Sequence, residues 1–123
     1  MKKRMGKCGN FFKYDCPKKM NARKEQKRGL SVAKYGTMFT WRTTEEPEKE
    51  GSTIWSTFAK DTKYFEPSKQ DFMINYRVEN MEQLVEQLKA DGVTVVDEIA
   101  TYDYGKFVHI LDPEGNSLEL WEE

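Results

Sequence analysis

Lys106-Phe107-Val108-His109-Ile110-Leu111-Asp112-Pro113-Glu114-Gly115-Asn116-Ser117-Leu118-Glu119-Leu120-Trp121-Glu122 closes the chain and reads as a β-hairpin. Two alternating runs, Lys106–Leu111 and Asn116–Trp121, flank the turn Asp112-Pro113-Glu114-Gly115. Proline presets φ for the second position of a type I turn, and Gly115 supplies the left-handed residue that follows. Together they make a three-residue loop with a bulge. That loop sets Asp112 opposite Asn116, so paired residue numbers sum to 228. Val108 then faces Leu120 and Ile110 faces Leu118, an apolar face on which a helix can sit. On the opposite face His109 lies across from Glu119, flanked by Phe107, Leu111, Ser117 and Trp121.

Working back from the hairpin, Met81 to Ala90 reads as a helix. Met81, Leu84, Val85 and Leu88 recur at i, i+3, i+4 and i+7 and form one apolar stripe. Asn80 and Gln83 are spaced as a capping box, and Asp91-Gly92 supplies a left-handed stop. Before it, Asp71 to Val78 alternates as a strand does. Phe72, Ile74, Tyr76 and Val78 make an oily face; Met73, Asn75 and Arg77 make a mixed one.

The same order of elements occurs upstream. At a shift of 64, Tyr14-Asp15-Cys16-Pro17 falls on Val78-Glu79-Asn80-Met81, and Gly51-Ser52-Thr53-Ile54-Trp55 falls on Gly115-Asn116-Ser117-Leu118-Glu119. Gly29-Leu30-Ser31-Val32 matches Gly92-Val93-Thr94-Val95 at 63, and Tyr35-Gly36 matches Tyr104-Gly105 at 69. Ordered matches at nearly constant offset point to a duplicated unit of strand, helix and three strands. Module one spans about 9–59, a polar linker containing Pro67 spans about 60–70, and module two spans about 71–123, all within a single domain. The expected helix of module one is weakly amphipathic, since Lys18 to Arg28 offers only Met20 and Ala22 as apolar residues.

Composition narrows the function classes. The 123 residues carry 20 Lys or Arg and 21 Asp or Glu, without the basic excess of an obligate nucleic-acid binder. Eleven of those basic residues fall within 1–30, against two acids there. A solvated face explains such a block more readily than a partner does, although an acidic partner or a second subunit would suit it too. No apolar run approaches the roughly 20 residues that span a bilayer, and no apolar stretch follows the basic start as in a secretory signal. In one extended segment Cys8 and Cys16 would lie about 26 Å apart, too far for a disulfide. Together these features lead to an expectation of a cytoplasmic protein.

A duplicated βαβββ unit ending in Asp112-Pro113-Glu114-Gly115-Asn116-Ser117-Leu118-Glu119-Leu120 resembles the vicinal oxygen chelate superfamily, the glyoxalase, bleomycin-resistance and extradiol-dioxygenase group. Phe11-Phe12-Lys13 with Pro17, Tyr35-Gly36-Thr37-Met38-Phe39 and Asp61-Thr62-Lys63-Tyr64-Phe65 add to the likeness, which runs from about Gly9 to Glu123. Arg23-Lys24 departs from it, where relatives carry an aromatic pair. The resemblance implies an α+β fold in which two tandem βαβββ modules form a cupped mixed sheet with helices on the convex face. It also implies up to four metal ligands, from the first and last strands of each module. Glu119 matches one of these positions. The others fall on Met73, Trp55 and Gly9, which suit hard or borderline ions poorly. The expectation is therefore no cofactor and no metal, with Glu119 as the ligand if there is any.

Three functions follow as expectations. The first is a metal-free binder of a small organic molecule, with Trp55, Met73, Asn75, Arg77, Phe107 and Trp121 lining the cupped face. The second is a lyase, isomerase or dioxygenase relative, with Glu119 as base and His109 holding or relaying the proton. The third is a non-enzymatic interaction module using the basic N-terminal region. A homodimer is expected by resemblance; membrane association is not expected, nor is nucleic-acid binding.

Overall fold

The computed structural model describes residues 5–14, 32–33 and 36–123; of the first two segments, Phe11 is the one residue whose side chain is described. The expected first helix, Tyr35 and Cys16 lie outside the described residues. Nine strands and one helix are described: β1 Met5–Tyr14, β2 Val32–Ala33, β3 Gly36–Trp41, β4 Gly51–Ala59, β5 Phe72–Val78, α1 Met81–Ala90, β6 Thr94–Val95, β7 Ala100–Tyr102, β8 Gly105–Leu111 and β9 Ser117–Glu122. They form one open mixed sheet in the order β2-β3-β4-β1-β5-β9-β8-β6, with β7 also on β8.

The order is nearly a palindrome about the β1–β5 seam. In each half the first strand lies parallel to the last, β1 on β4 and β5 on β9. The last strand then lies antiparallel to the one before it. The two first strands meet antiparallel at the centre. The described elements form an α+β fold with one helix, consistent with tandem βαβββ modules, and the strands of the two halves correspond with one difference in module two. Its middle strand is broken into β6 and β7, which pair with opposite ends of β8.

The terminal hairpin keeps the register set by its turn. His109 pairs with Glu119, Val108 with Leu120 and Ile110 with Leu118. Gly115 has φ 84°, its amide donates to Asp112 O at 3.0 Å, and the Asp112 amide donates to Asn116 O at 3.0 Å. The Asp112 carboxylate accepts from the Glu114 and Asn116 amides, which pins the loop locally.

On the apolar side of the hairpin sits α1. Met81, Leu84 and Val85 of the helix join Val78, Val108, Ile110 and Leu120 in one buried cluster. Full burial of each such side chain is worth about 1.5–3 kcal/mol, so this layer dominates the stability of module two. The helix stops as expected. Gly92 takes φ 84°, and the Gly92 and Val93 amides donate back to Lys89 O and Leu88 O. Its start is different. Asn80 is left-handed, with φ 54°, and makes no side-chain cap. The Met81 amide donates instead to Glu122 Oε2 at 3.1 Å. A carboxylate from the neighbouring strand thus replaces the expected capping box and also faces the positive end of the helix. No described helix is long and apolar enough to cross a membrane.

Candidate functional site

Side chains of directly paired strand residues share a face, so the register sorts the candidate residues. Glu119 pairs with both Asn75 and His109; Trp121 pairs with both Arg77 and Phe107; Met73 pairs with Phe11. Met73, Asn75, Arg77, Phe107, His109, Glu119 and Trp121 therefore share the side opposite α1. Trp55 does not. It pairs with Thr37 and Asn10, and Asn10 pairs with Ile74, which puts Trp55 on the helix side of the sheet. Ser56, one residue on, pairs with Phe11 and holds the place beside β1 that Glu119 holds beside β5. A constant shift of 64 selects Trp55 because it counts residues, whereas the face is set by pairing. The β3–β4 side differs as well. Gly36 lies against Ser56, and a Cβ there would sit 2.9 Å from Ser56 Cα. Gly105, like Gly36, is the first residue of its strand and has a positive φ, 127° against 134°, but it lies against Glu122 and Trp121 and not against Glu119.

The centre of this face is a buried carboxylate. Glu119 is 2 % exposed. Asn75 Nδ2 donates to its Oε1 at 2.5 Å, and the Tyr64 hydroxyl donates to Oε2 at 2.5 Å. His109 Nε2 lies 3.0 Å from the same Oε2. On its other side His109 Nδ1 is 2.6 Å from Asp97 Oδ2, and the His109 amide donates to Asp97 Oδ1 at 2.8 Å. The imidazole thus bridges two carboxylates.

Asp97 reaches this position because of the broken middle strand. β6 ends at Val95, the Val96 amide still donates to His109 O, and β7 resumes at Ala100. Leaving the ladder at Asp97 turns its carboxylate toward the backbone and ring of His109. No periodic signal marks this break.

The expected polar linker is a strap across the same face. Phe65 is fully buried, and its carbonyl accepts from Ser117 Oγ at 2.7 Å. Its ring meets Phe58 edge-on at 5.1 Å, and Phe58 in turn lies 5.5 Å from Phe11. Tyr64 stacks on Phe58 at 5.5 Å with 11° between planes and meets His109 edge-on at 5.1 Å. Tyr64 and Asp97 are the two site residues that the sequence pattern does not reveal. The one usable signal for Tyr64 is an aromatic pair within a polar linker.

These contacts fix protonation. Burial works against charge on His109, but the Glu119 and Asp97 carboxylates outweigh it and hold the imidazolium above the ordinary histidine value. Burial, with the Glu119 charge behind it, pushes the Tyr64 phenol far up, so it stays a neutral donor.

A second region adjoins the centre. Phe107 and Trp121 stack at 6.0 Å with 7° between planes, and the Arg77 guanidinium lies 5.0 Å from the Trp121 ring. Tyr102 and Tyr104, both exposed, stack on each other and flank Phe107. Trp121 Nε1 donates to Tyr104 O at 3.0 Å, which locks the shelf to the β7–β8 turn. Arg77 also pairs with Glu123 at 3.2 Å and borders a cleft of about 720 Å³ shared with Trp41, Lys49 and Ser52.

As a metal site this constellation fits poorly. Tyr64 and Asn75 already donate to the Glu119 carboxylate, His109 Nε2 lies 3.0 Å from it, and Met73 and Ser56 occupy neighbouring places. No group of three or more metal-ligating side chains occurs among the described residues.

The fold recurs in solved proteins. A hypothetical protein from Bacillus halodurans C-125 matches with TM-score 0.64 at 11% identity, over 97% of this chain and 94% of that one. Methylmalonyl-CoA epimerase from Mycobacterium tuberculosis matches with TM-score 0.58 at 14% identity, over 95% and 87%. A glyoxalase/bleomycin resistance protein/dioxygenase superfamily member from Vibrio splendidus 12B01 matches with TM-score 0.56 at 12% identity, over 99% and 100%. Such low identities carry the fold and not the activity. No curated protein sequence matches this one. The family model for Glyoxalase/Bleomycin resistance protein/Dioxygenase superfamily matches residues 13–120. That span takes in the strap and nearly all of both modules, and the chain belongs to this superfamily.

Proposed function

We propose that this protein binds a small, flat, partly apolar organic molecule on the sheet face opposite α1, and does so without a divalent ion. The observation that carries the reading is the division of that face. Glu119 is closed off by Tyr64, Asn75 and His109, while beside it the Phe107–Trp121 stack and Arg77 stay half-exposed. Stacked rings give a flat ligand its contact area, and the guanidinium over the Trp121 ring offers an anionic group a partner. Met73 and Asn75, both buried, serve as the floor beneath the ligand.

Binding is preferred to proton abstraction by Glu119. A base needs a free oxygen within reach of the substrate proton, and here both oxygens already accept hydrogen bonds. An interaction module built on residues 1–30 rests on charge alone and ranks below both. The proposal extends to a cytoplasmic homodimer, whose pairing would wall the shelf from a second side.

Two measurements test the reading. Metal analysis and thermal shift with nickel, manganese and zinc are expected to show neither bound ion nor stabilisation. A melting-temperature rise that disappears in Glu119→Gln would restore the metal site and overturn the proposal. Tryptophan fluorescence across a panel of aromatic acids and amines is expected to give saturable quenching, at least about tenfold weaker in Trp121→Ala and in Arg77→Ala, as for loss of a stacking or charged contact. Silence across the panel counts against a ligand on this face.

A further inference from the structure

The Tyr64 side chain stands out because its two ends live in different surroundings. The residue as a whole is 43% exposed, yet its hydroxyl rests on a carboxylate that is 2 % exposed. Its ring lies flat on Phe58 and edge-on to His109. The strap that carries it is held by the next residue. Phe65 is fully buried, its carbonyl is bonded to Ser117, and its amide neighbours are tied in turns, Glu66 N to Lys63 O and Ser68 N to Phe65 O. Phe65 is the anchor, and Tyr64 can rotate about its own side-chain bonds without the strap leaving the sheet.

We propose that Tyr64 is a built-in occupant of the ligand's seat, and that the ligand displaces it with a flat ring bearing a neutral hydrogen-bond donor, a hydroxyl or an amine, aimed at Glu119 Oε2. The seat has a definite chemistry. One wall is the face of Phe58, another is the His109 ring standing perpendicular to the Tyr64 ring, and the end is a carboxylate oxygen. A carboxylate at that end would meet like charge in a buried place and is excluded. A purely apolar ring would leave Glu119 short of the donor it loses when Tyr64 departs. The ring with one neutral donor, which is what the phenol of Tyr64 itself provides, satisfies both conditions. This deepens the binding reading above and rests on it: the Phe107–Trp121 shelf receives the rest of the molecule.

The test uses 4-methylphenol and toluene, which differ by the hydroxyl, with wild type, Tyr64→Phe and Tyr64→Ala followed by ligand-observed NMR titration. Tyr64→Phe keeps the ring but takes the hydroxyl away from Oε2, where His109 Nε2 remains 3.0 Å away; Tyr64→Ala empties the seat. Both are expected to bind 4-methylphenol about tenfold or more tightly than wild type, because a hydrogen bond to a charged group no longer competes, while toluene gains less. Glu119→Gln in the Tyr64→Ala background is expected to narrow the difference between the two probes. Equal affinity of wild type and both variants for 4-methylphenol overturns the proposal. So does toluene binding the variants as well as 4-methylphenol does, since the seat is then only a cavity. A panel ligand that quenches Trp121 equally in wild type and Tyr64→Phe removes the displacement and leaves the shelf standing. Failure of the panel on every protein removes the shelf as well.

Discussion

Glu119 and Ser56 hold corresponding places in the two halves of the sheet, each on the last strand of its module and each beside that module's first strand. Around Glu119 stand Asn75, His109 and Tyr64, all hydrogen-bonding groups. Around Ser56 stand Phe11, paired with it, and Gly36, whose backbone comes close enough that no side chain fits. One topology thus carries a polar centre in one half and an aromatic, close-packed wall in the other. Duplication fixes where side chains can point. It does not fix what they are, and in this chain the chemistry has collected in module two.

Three experiments probe this asymmetry. The largest effect is expected from Glu119→Ala, which leaves the half-buried imidazolium with Asp97 as its remaining carboxylate and takes one shared acceptor from the Asn75 amide and the Tyr64 hydroxyl. Such a break costs about 3–5 kcal/mol, whereas Ser56→Ala is expected to cost no more than about 1 kcal/mol. Urea denaturation of the pair measures the contrast, and equal losses would erase it. Next is Gly36→Ala. Its φ of 134° suits glycine alone, and a Cβ would lie 2.2 Å from Trp55 O. The backbone conformation costs about 1–3 kcal/mol before any displacement of β4. A melting temperature unchanged by this substitution would mean that module one tolerates a side chain where module two has one.

The smallest effect is a pH dependence confined to module two. Asp97, Glu119 and Tyr64 face the His109 ring, and its folded-state pKa is raised above the ordinary value. A raised pKa stabilises the fold fully below the unfolded value of about 6.5, and this stability is lost as pH rises through the folded value. The urea midpoint of wild type is expected to fall as pH goes from about 6 to about 9, and His109→Gln is expected to lack that step. A step of equal size in the variant would assign the titration elsewhere.

Much of module two is legible in the order of its residues. The Asp112–Gly115 turn is chemistry within four residues, and it alone forces His109 to face Glu119. The α1 stripe and the Gly92 stop are equally local. The departures from pattern have a common cause. Asn80 resembles a cap, but Glu122, on a neighbouring strand and 41 positions beyond Met81, takes the Met81 amide. Counting residues places Trp55 in the site, and the face it adopts is fixed instead by which strands pair. Asp97 sits at a break in an edge strand, and Tyr64 reaches Glu119 from 55 positions away across a linker that reads as solvated.

The amino-acid order by itself determined the strand–helix plan of module two, the hairpin register and the pairing of one imidazole with one carboxylate, because turn residues and alternation act over a few bonds. Tertiary structure alone decided that this carboxylate lies beneath a strap, that a second carboxylate backs the imidazole, and that a tyrosine covers the first. Those outcomes depend on which distant segments share a sheet face, and short-range pattern carries no record of that.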